Sequence, residues 1–208
     1  MSKSKITSLN AQDALPGRQQ EIFVVNSHFV KNNAIKSPFP KELEMIVLGL
    51  GCFWGAEKCF WQLEGVYSTA VGYSGGYTPN PTYEEVCSGM TGHAEVVLVI
   101  YNPKIIECKN IIEVFFESHD PTQGMRQGND IGTQYRSAVY ICEDYQAEIV
   151  KNIKEHYQKL LYRAGYGDIT TESQVSEIFY YAEDYHQQYL AKNPTGYCGI
   201  GGLGLSSD

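Results

Sequence analysis

The hydrophobic positions predict alternating strands and helices that start near residue 45. Residues 45–48 form a short apolar run ending at Gly49, which is typical of a buried strand. Helical spacing follows over residues 52–63, and Gly65 is placed to cap that helix. Residues 66–73 are rich in β-prone side chains and predict a second strand.

The second half of the chain repeats the alternation. Residues 93–101 and 137–141 predict two further strands, separated by a polar, glycine-bearing loop at 120–132. Two helices are marked by apolar residues at helical spacing, namely Ile111, Ile112, Phe115 and Phe116, and then Ile149, Ile153, Tyr157 and Leu160. Residues 183–190 also have a helical pattern.

The resulting order, β-α-β-β-α-β with a further helix, predicts an α+β fold. It is the order of a ferredoxin-like split β-α-β core, a two-layer sandwich with a mainly antiparallel sheet and helices on one face. We expect residues 1–44 to be an N-terminal extension that packs on the core. Residues 45–192 would be the catalytic domain, and residues 193–208 a mobile, glycine-rich tail.

Several protein classes are disfavoured by the length and by the chain's start. A chain of 208 residues suggests one domain with extensions. The longest apolar run, residues 45–54, is half the length of a membrane helix, which needs about 20 residues. Residues 1–20 are polar and lack the order of a secretory signal. We therefore expect a cytoplasmic protein. A monomer is expected as well.

The net charge and the cysteine spacing limit the binding partners, metals and cofactors that the chain is expected to use. The formal net charge of −8 argues against nucleic acid, because phosphate binding requires clustered Lys and Arg. The six cysteines contain no C-x-x-C pair, and the five histidines show no metal-ligand spacing. We expect reduced thiols, no metal and no bound cofactor.

Cys52 is the first candidate for chemistry. A strand followed by Gly-Leu-Gly delivers it to the first turn of a helix, where free N–H groups and the helix dipole favour a thiolate. The alternative is a buried, inert thiol. Phe53 and Trp54 follow directly and suggest an apolar pocket for a small neutral group, although core packing is the favoured interpretation of Phe53.

Glu95 is the second candidate. Strand alternation places it on the same face as Val97 and Val99, where loss of hydration would raise its pKa and suit it to act as a general acid. The alternative is that Glu95 lies at the strand's end and meets water. Tyr83 and Tyr135 lie in two polar loops, from which their hydroxyls could reach a ligand oxygen.

Seven segments together resemble one family, peptide methionine sulfoxide reductase of type A. They are Gly51–Gly55, Gly72–Gly76, Tyr83–Gly89, Gly92–Glu95, His119–Gln123, Asp130–Ser137 and Gly196–Gly199. The likeness runs from about Ala14 to Leu205 and includes the N-terminal extension of longer bacterial members. It implies reduction of methionine-S-sulfoxide, free or in proteins, to methionine.

The resemblance also implies roles for the cysteines and the carboxyl group. Cys52 matches the nucleophile and Glu95 the acid that protonates the sulfoxide oxygen. Cys198 matches the resolving cysteine, which forms a disulfide with Cys52 that thioredoxin then reduces. The enzyme would need no metal, flavin or nicotinamide.

The substrate pocket is implied in the same way. Phe53 and Trp54 match the walls that hold the S-methyl group. Tyr83, Asp130 and Tyr135 match the polar groups that bind and polarise the sulfoxide oxygen. One position departs from the pattern: related bacterial members often carry a recycling cysteine eight residues after the resolving one, where this chain has Ser206.

Two other functions stay open on the residues alone. A cysteine hydrolase or acyl transferase would pair Cys52 with a histidine base, which the sequence does not specify. A redox-sensing module would carry cysteines that respond to oxidants without catalysing sulfoxide reduction.

Overall fold

The computed structural model describes residues 9–176 and 178–206. Residues 1–8 of the predicted extension and residues 207–208 of the predicted tail lie outside that part. The strands that it contains are β1 Glu44–Leu50, β2 Val66–Ser74, β3 Ala94–Tyr101, β4 Arg126–Gln127, β5 Asp130–Ile131, β6 Ser137–Ile141, β7 Glu172–Val175 and β8 Tyr180–Tyr181. The helices are α1 Phe53–Trp61, α2 Tyr83–Cys87, α3 Cys108–Glu117, α4 Gln146–Arg163 and α5 Tyr189–Lys192.

One sheet organises the molecule, in the order β7-β6-β1-β3-β2-β8. Strand β3 lies between β1 and β2 and is antiparallel to both, with Ile46 opposite Val99 and Val71 opposite Val97. Strand β6 is antiparallel to β1, while β7 joins β6 in parallel. The four central strands therefore have the split β-α-β order, and the predicted fold class is confirmed.

The two faces of the sheet are covered by different parts of the chain. Helices α1, α3 and α4 pack on one face, over a core that includes Ile46, Leu48, Val97, Val99, Ile111, Phe115, Tyr157 and Leu161. The other face is covered by the segment before β1. Val24 and Ile35 are buried there against Val47, Val96 and Leu98. The alternate residues of β3 thus pack on different partners, as strand geometry requires.

The helix predicted at 183–190 is wrong. The chain instead makes a 3-10 turn at Asp184–His186, bends at Gln188 with φ +48°, and only then forms α5. Buried hydrogen bonds explain the break. The Gln187 side chain bonds both the N–H and the C=O of Val71 at 2.9 and 2.8 Å, and Gln188 bonds the Glu57 carboxylate. These contacts outweigh a local helical preference.

Candidate active site

The site forms at the junction between the end of β1 and the start of α1. Gly51 turns the chain with φ +102°, a conformation that favours glycine, and a Cβ there would lie 2.7 Å from the Gln127 side chain. Cys52 follows as the N-cap residue of α1 and is half-buried. Cys52 therefore lies at the helix N-terminus and is not fully enclosed.

Glu95 lies beside that helix start. It is 1% exposed, on the face of β3 that α1 covers, and its Oε2 accepts a hydrogen bond from the backbone N–H of Phe53 at 3.0 Å. Burial raises the pKa of Glu95 to about 8, with the Phe53 N–H opposing and Asp130 adding to the shift. The alternative of a solvated carboxylate at the strand's end is wrong, because the adjoining helix and loops exclude water.

The expectation that the helix N-terminus makes Cys52 a thiolate is also wrong for the resting site. Burial, and then the Glu95 carboxylate, raise the pKa of Cys52 to about 12. The N–H groups of Trp54 and Gly55 act in the expected direction but are outweighed, with Asp130 further opposing them. The Glu95 contribution requires ionised Glu95, so protonation of that carboxyl removes it.

Aromatic rings cluster around the two residues that follow Cys52. Phe53 is buried against Tyr73, Tyr83 and His186, with ring centroids 5.9, 6.5 and 5.1 Å away. Trp54 stacks on Tyr189 at 3.9 Å between centroids. Such rings favour a small apolar group over a charged one.

His186 fixes the orientation of the Trp54 indole, and sequence reasoning missed it. The indole Nε1–H donates to His186 Nδ1 at 2.9 Å. Burial lowers the pKa of His186 to about 4, so the ring is neutral and its proton lies on Nε2. Nothing in the sequence signals this contact, because the two residues are 132 positions apart.

Polar groups from three other segments complete the surroundings. Tyr83 begins α2, whose capping box of Thr82 and Glu85 is a signal that the sequence contained. Asp130 lies in β5 and Tyr135 ends a 3-10 turn. Burial raises the pKa of both tyrosines, and the charge of Glu95 adds to it, so their hydroxyls stay protonated donors.

The tail passes over the start of α1. The Tyr197 hydroxyl donates to Asp130 Oδ2 at 3.3 Å, and Ile200 packs on the core. Cys198 is an exposed, free thiol whose Sγ would lie 3.2 Å from a Cβ placed at Gly55. The structure thus brings the second cysteine to the helical turn that follows Cys52.

Glu183 holds two of the tyrosines that surround Phe53. Glu183 accepts hydrogen bonds from the Tyr83 N–H at 2.8 Å and from the Tyr73 hydroxyl at 3.1 Å.

Among the described residues, no group of three or more His, Cys, Asp or Glu side chains could hold a metal ion. In the same part of the chain, no helix is long and apolar enough to cross a bilayer.

This arrangement defines a class of enzyme. A buried acid that is protonated near neutrality, a thiol at a helix start, a cluster of aromatic rings beside it and a second thiol nearby can together transfer an oxygen atom from a small neutral group to sulfur. The geometry is that of a thiol-dependent oxidoreductase.

Comparison with known proteins identifies the family. A family model described as peptide methionine sulfoxide reductase matches residues 44–202. The chain is 60% identical over 202 residues to a peptide methionine sulfoxide reductase of Rippkaea orientalis, covering 97% of this chain and 93% of that one. The chain therefore belongs to the peptide methionine sulfoxide reductase family, and it is an enzyme that uses thiols to reduce methionine sulfoxide.

Solved structures agree. Methionine sulfoxide reductase A of Corynebacterium diphtheriae superposes with a TM-score of 0.87 at 45% identity, covering 92% of this chain and 93% of that chain. A second similar structure is Mxr1 from Saccharomyces cerevisiae in complex with Trx2, with a TM-score of 0.52 at 26% identity, covering 74% and 89%. The hydrolase and sensing-module alternatives are set aside by these similarities.

Proposed function

We propose that the enzyme reduces the S epimer of methionine sulfoxide, free and in proteins, with Cys52 as nucleophile and Glu95 as acid. The observation that carries this proposal is the position of Glu95. It is a carboxyl group with a pKa raised to about 8, bonded to the N–H of the residue that follows Cys52. A neutral acid there can protonate a sulfoxide oxygen, which is otherwise a poor leaving group.

The pocket residues position the substrate. The S-methyl group would lie against Phe53, which belongs to the apolar core, and Trp54, which packs on it. The Tyr83 and Tyr135 hydroxyls would donate to the sulfoxide oxygen. Asp130 supports the acid indirectly, since its negative charge raises the pKa of Glu95.

The first chemical step transfers oxygen to Cys52. The Cys52 sulfur attacks the sulfoxide sulfur and forms a sulfur–sulfur bond as Glu95 gives its proton to the oxygen, and the thiol proton passes to the Glu95 carboxylate. The hydroxyl then moves from the substrate sulfur to the Cys52 sulfur as the sulfur–sulfur bond breaks, so that methionine leaves and Cys52 becomes a sulfenic acid. The sum, thiol plus sulfoxide giving sulfenic acid plus sulfide, conserves both protons.

The second step uses Cys198. Its thiol condenses with the sulfenic acid to give a Cys52–Cys198 disulfide and one water. The contact between Cys198 and Gly55 supports this role, because Gly55 is one turn from Cys52. The tail from residue 193 would move to bring the two sulfurs together.

Thioredoxin would reopen the disulfide by thiol–disulfide exchange, as the yeast Mxr1 complex with Trx2 suggests for this family.

All six cysteines carry free thiols, which suits a reducing compartment, and we propose the cytoplasm. Fractionation of the source cells tests that placement.

Epimer-resolved mass analysis tests the function. Reduced enzyme is incubated, without reductant, with peptides containing either the S or the R epimer of methionine sulfoxide. Loss of two thiols and appearance of a Cys52–Cys198 disulfide with the S epimer alone is expected. Equal reaction with both epimers would contradict the stereospecificity, and no reaction with either would overturn the proposal.

A further inference from the structure

A third thiol, besides those of Cys52 and Cys198, lies near the path of the tail. Cys59 is on α1, two turns after Cys52, and its Sγ donates to the Gly55 carbonyl at 3.5 Å. The Cys198 Sγ also lies at this glycine, 3.2 Å from the point that a Cβ at Gly55 would occupy. Gly55 therefore has Cys198 against its Cα and Cys59 against its carbonyl oxygen.

The course of the tail keeps it over Cys59. Beyond Cys198 it reaches Gly202, which packs directly against the backbone carbonyl of Glu117 at the end of α3. The next residue, Ser118, hydrogen-bonds the Cys59 thiol. Because Cys59 contacts both Gly55 and Ser118, it lies between the two points on which the tail rests.

The charges agree with this placement. Burial is the main cause of the raised pKa of Cys59, and a charge on Cys198 adds to it. Cys59 is half-buried, and its raised pKa keeps it a thiol at neutral pH. It is thus partly shielded from bulk solvent, one helical turn after the glycine that Cys198 contacts.

We propose that Cys59 is a third redox-active cysteine, which takes over Cys198 from the Cys52–Cys198 disulfide. This inference rests on the proposed function and extends its recycling step. In the exchange, the Cys59 sulfur attacks the Cys198 sulfur, a Cys59–Cys198 bond forms, and the Cys52–Cys198 bond breaks. The proton of Cys59 is released, Cys52 takes one up, and no external oxidant or reductant is used.

Helix geometry excludes a direct disulfide between Cys52 and Cys59. A disulfide requires its two Cα atoms to lie about 4.4–6.8 Å apart. Cys52 and Cys59 are seven residues apart on one helix, which separates them by about 10 Å along its axis, so they cannot pair directly. Cys198, on the irregular segment between Gly196 and Gly199, lies against Gly55, between the two along the helix, so the exchange passes through Cys198.

Such a relay returns Cys52 to its thiol form before any reductant arrives. The Cys52 site can then reduce a second sulfoxide, while the oxidised pair is held at Cys59 and the exposed Cys198. The disulfide offered to an external dithiol would be Cys59–Cys198, away from the substrate pocket.

Counting methionine without reductant tests the relay. Reduced enzyme is mixed with excess methionine-S-sulfoxide peptide, the methionine-containing product is counted per enzyme, and alkylation followed by peptide mapping locates the disulfides. We expect two equivalents from the native chain, with a Cys59–Cys198 disulfide, and one equivalent from Cys59→Ser, with a Cys52–Cys198 disulfide.

Cys142→Ser is the matched control, since Cys142 is another half-buried thiol and contacts the Tyr140 carbonyl at the end of β6. It should still give two equivalents. One equivalent from the native chain, or two from Cys59→Ser, would overturn the relay and leave the proposed function standing. Release of no methionine would overturn the proposed function itself, and the relay with it.

Discussion

Two buried carboxyl groups lie at helix α1, Glu57 within it and Glu95 beside it, and they differ in what surrounds them. Glu57 is fully buried in the helix, and it accepts hydrogen bonds from the Thr69 hydroxyl at 2.9 Å and from the backbone and side-chain N–H groups of Gln188, both at 2.7 Å. Glu95 accepts one from the Phe53 N–H and faces Cys52. Burial raises both pKa values, to about 7 for Glu57 and about 8 for Glu95.

The Glu57 side is a closed network. His28 Nδ1 accepts the N–H groups of Val30 and Lys31, so its Nε2 carries the proton and donates to Thr69, whose hydroxyl donates to Glu57. This network ties the segment before β1 to α1 and to the bend at Gln188. Because the lone pairs of its carboxylate already accept hydrogen bonds, Glu57 has a structural role, whereas the Glu95 carboxyl can still bind a substrate.

The largest expected effect separates the two acids by chemistry. Glu95→Gln removes the transferable proton, so we expect the sulfoxide-reduction step to slow by about 10²–10⁴-fold. Single-turnover release of methionine measures this step, and Glu57→Gln is the matched control, expected within a few-fold of the native rate. A native rate in Glu95→Gln would remove Glu95 from the mechanism.

The next effect separates them by stability. Glu57→Gln places an amide NH₂ where donors already point, so we expect a loss of about 1–3 kcal/mol in the free energy of unfolding. Urea unfolding measures it. The pKa of Glu57 is raised from its usual 4.5 to about 7, so its stabilising contribution is fully present below pH 4.5 and is lost as the pH rises through 7.

The Gln variant should lack this part of the pH dependence. Native stability in Glu57→Gln combined with a large loss of reduction rate would reverse the roles assigned to the two acids.

The smallest effect concerns pH and rate. Since the protonated form of Glu95 is the acid, the single-turnover rate should fall as the pH rises through about 8, by about tenfold between pH 7 and pH 9. Glu95→Gln should lose this limb. Measurement of the rate from pH 6 to 9.5 checks it, and a rate that rises throughout would show that thiol ionisation at Cys52 dominates.

Much of the fold could be predicted from residue patterns. The four central strands and α1, α3 and α4 follow the hydrophobic periods, because burial of one face sets the spacing of apolar residues. Helix α2 was missed, although Thr82 and Glu85 form a capping box. The edge strands β7 and β8 were missed because they are short and partly exposed, so they carry little hydrophobic pattern.

Local patterns were sufficient to predict the order of the core elements, the family and the residues proposed for catalysis, because hydrophobic periods and motifs are read along the chain. Tertiary structure decided the protonation states and the supporting contacts. The Trp54–His186 and Glu57–Gln188 bonds join residues more than 130 positions apart. The raised pKa values of Cys52 and Glu95, like the meeting of Cys59 with Cys198, arise from burial and charges contributed by distant segments, which no local pattern encodes.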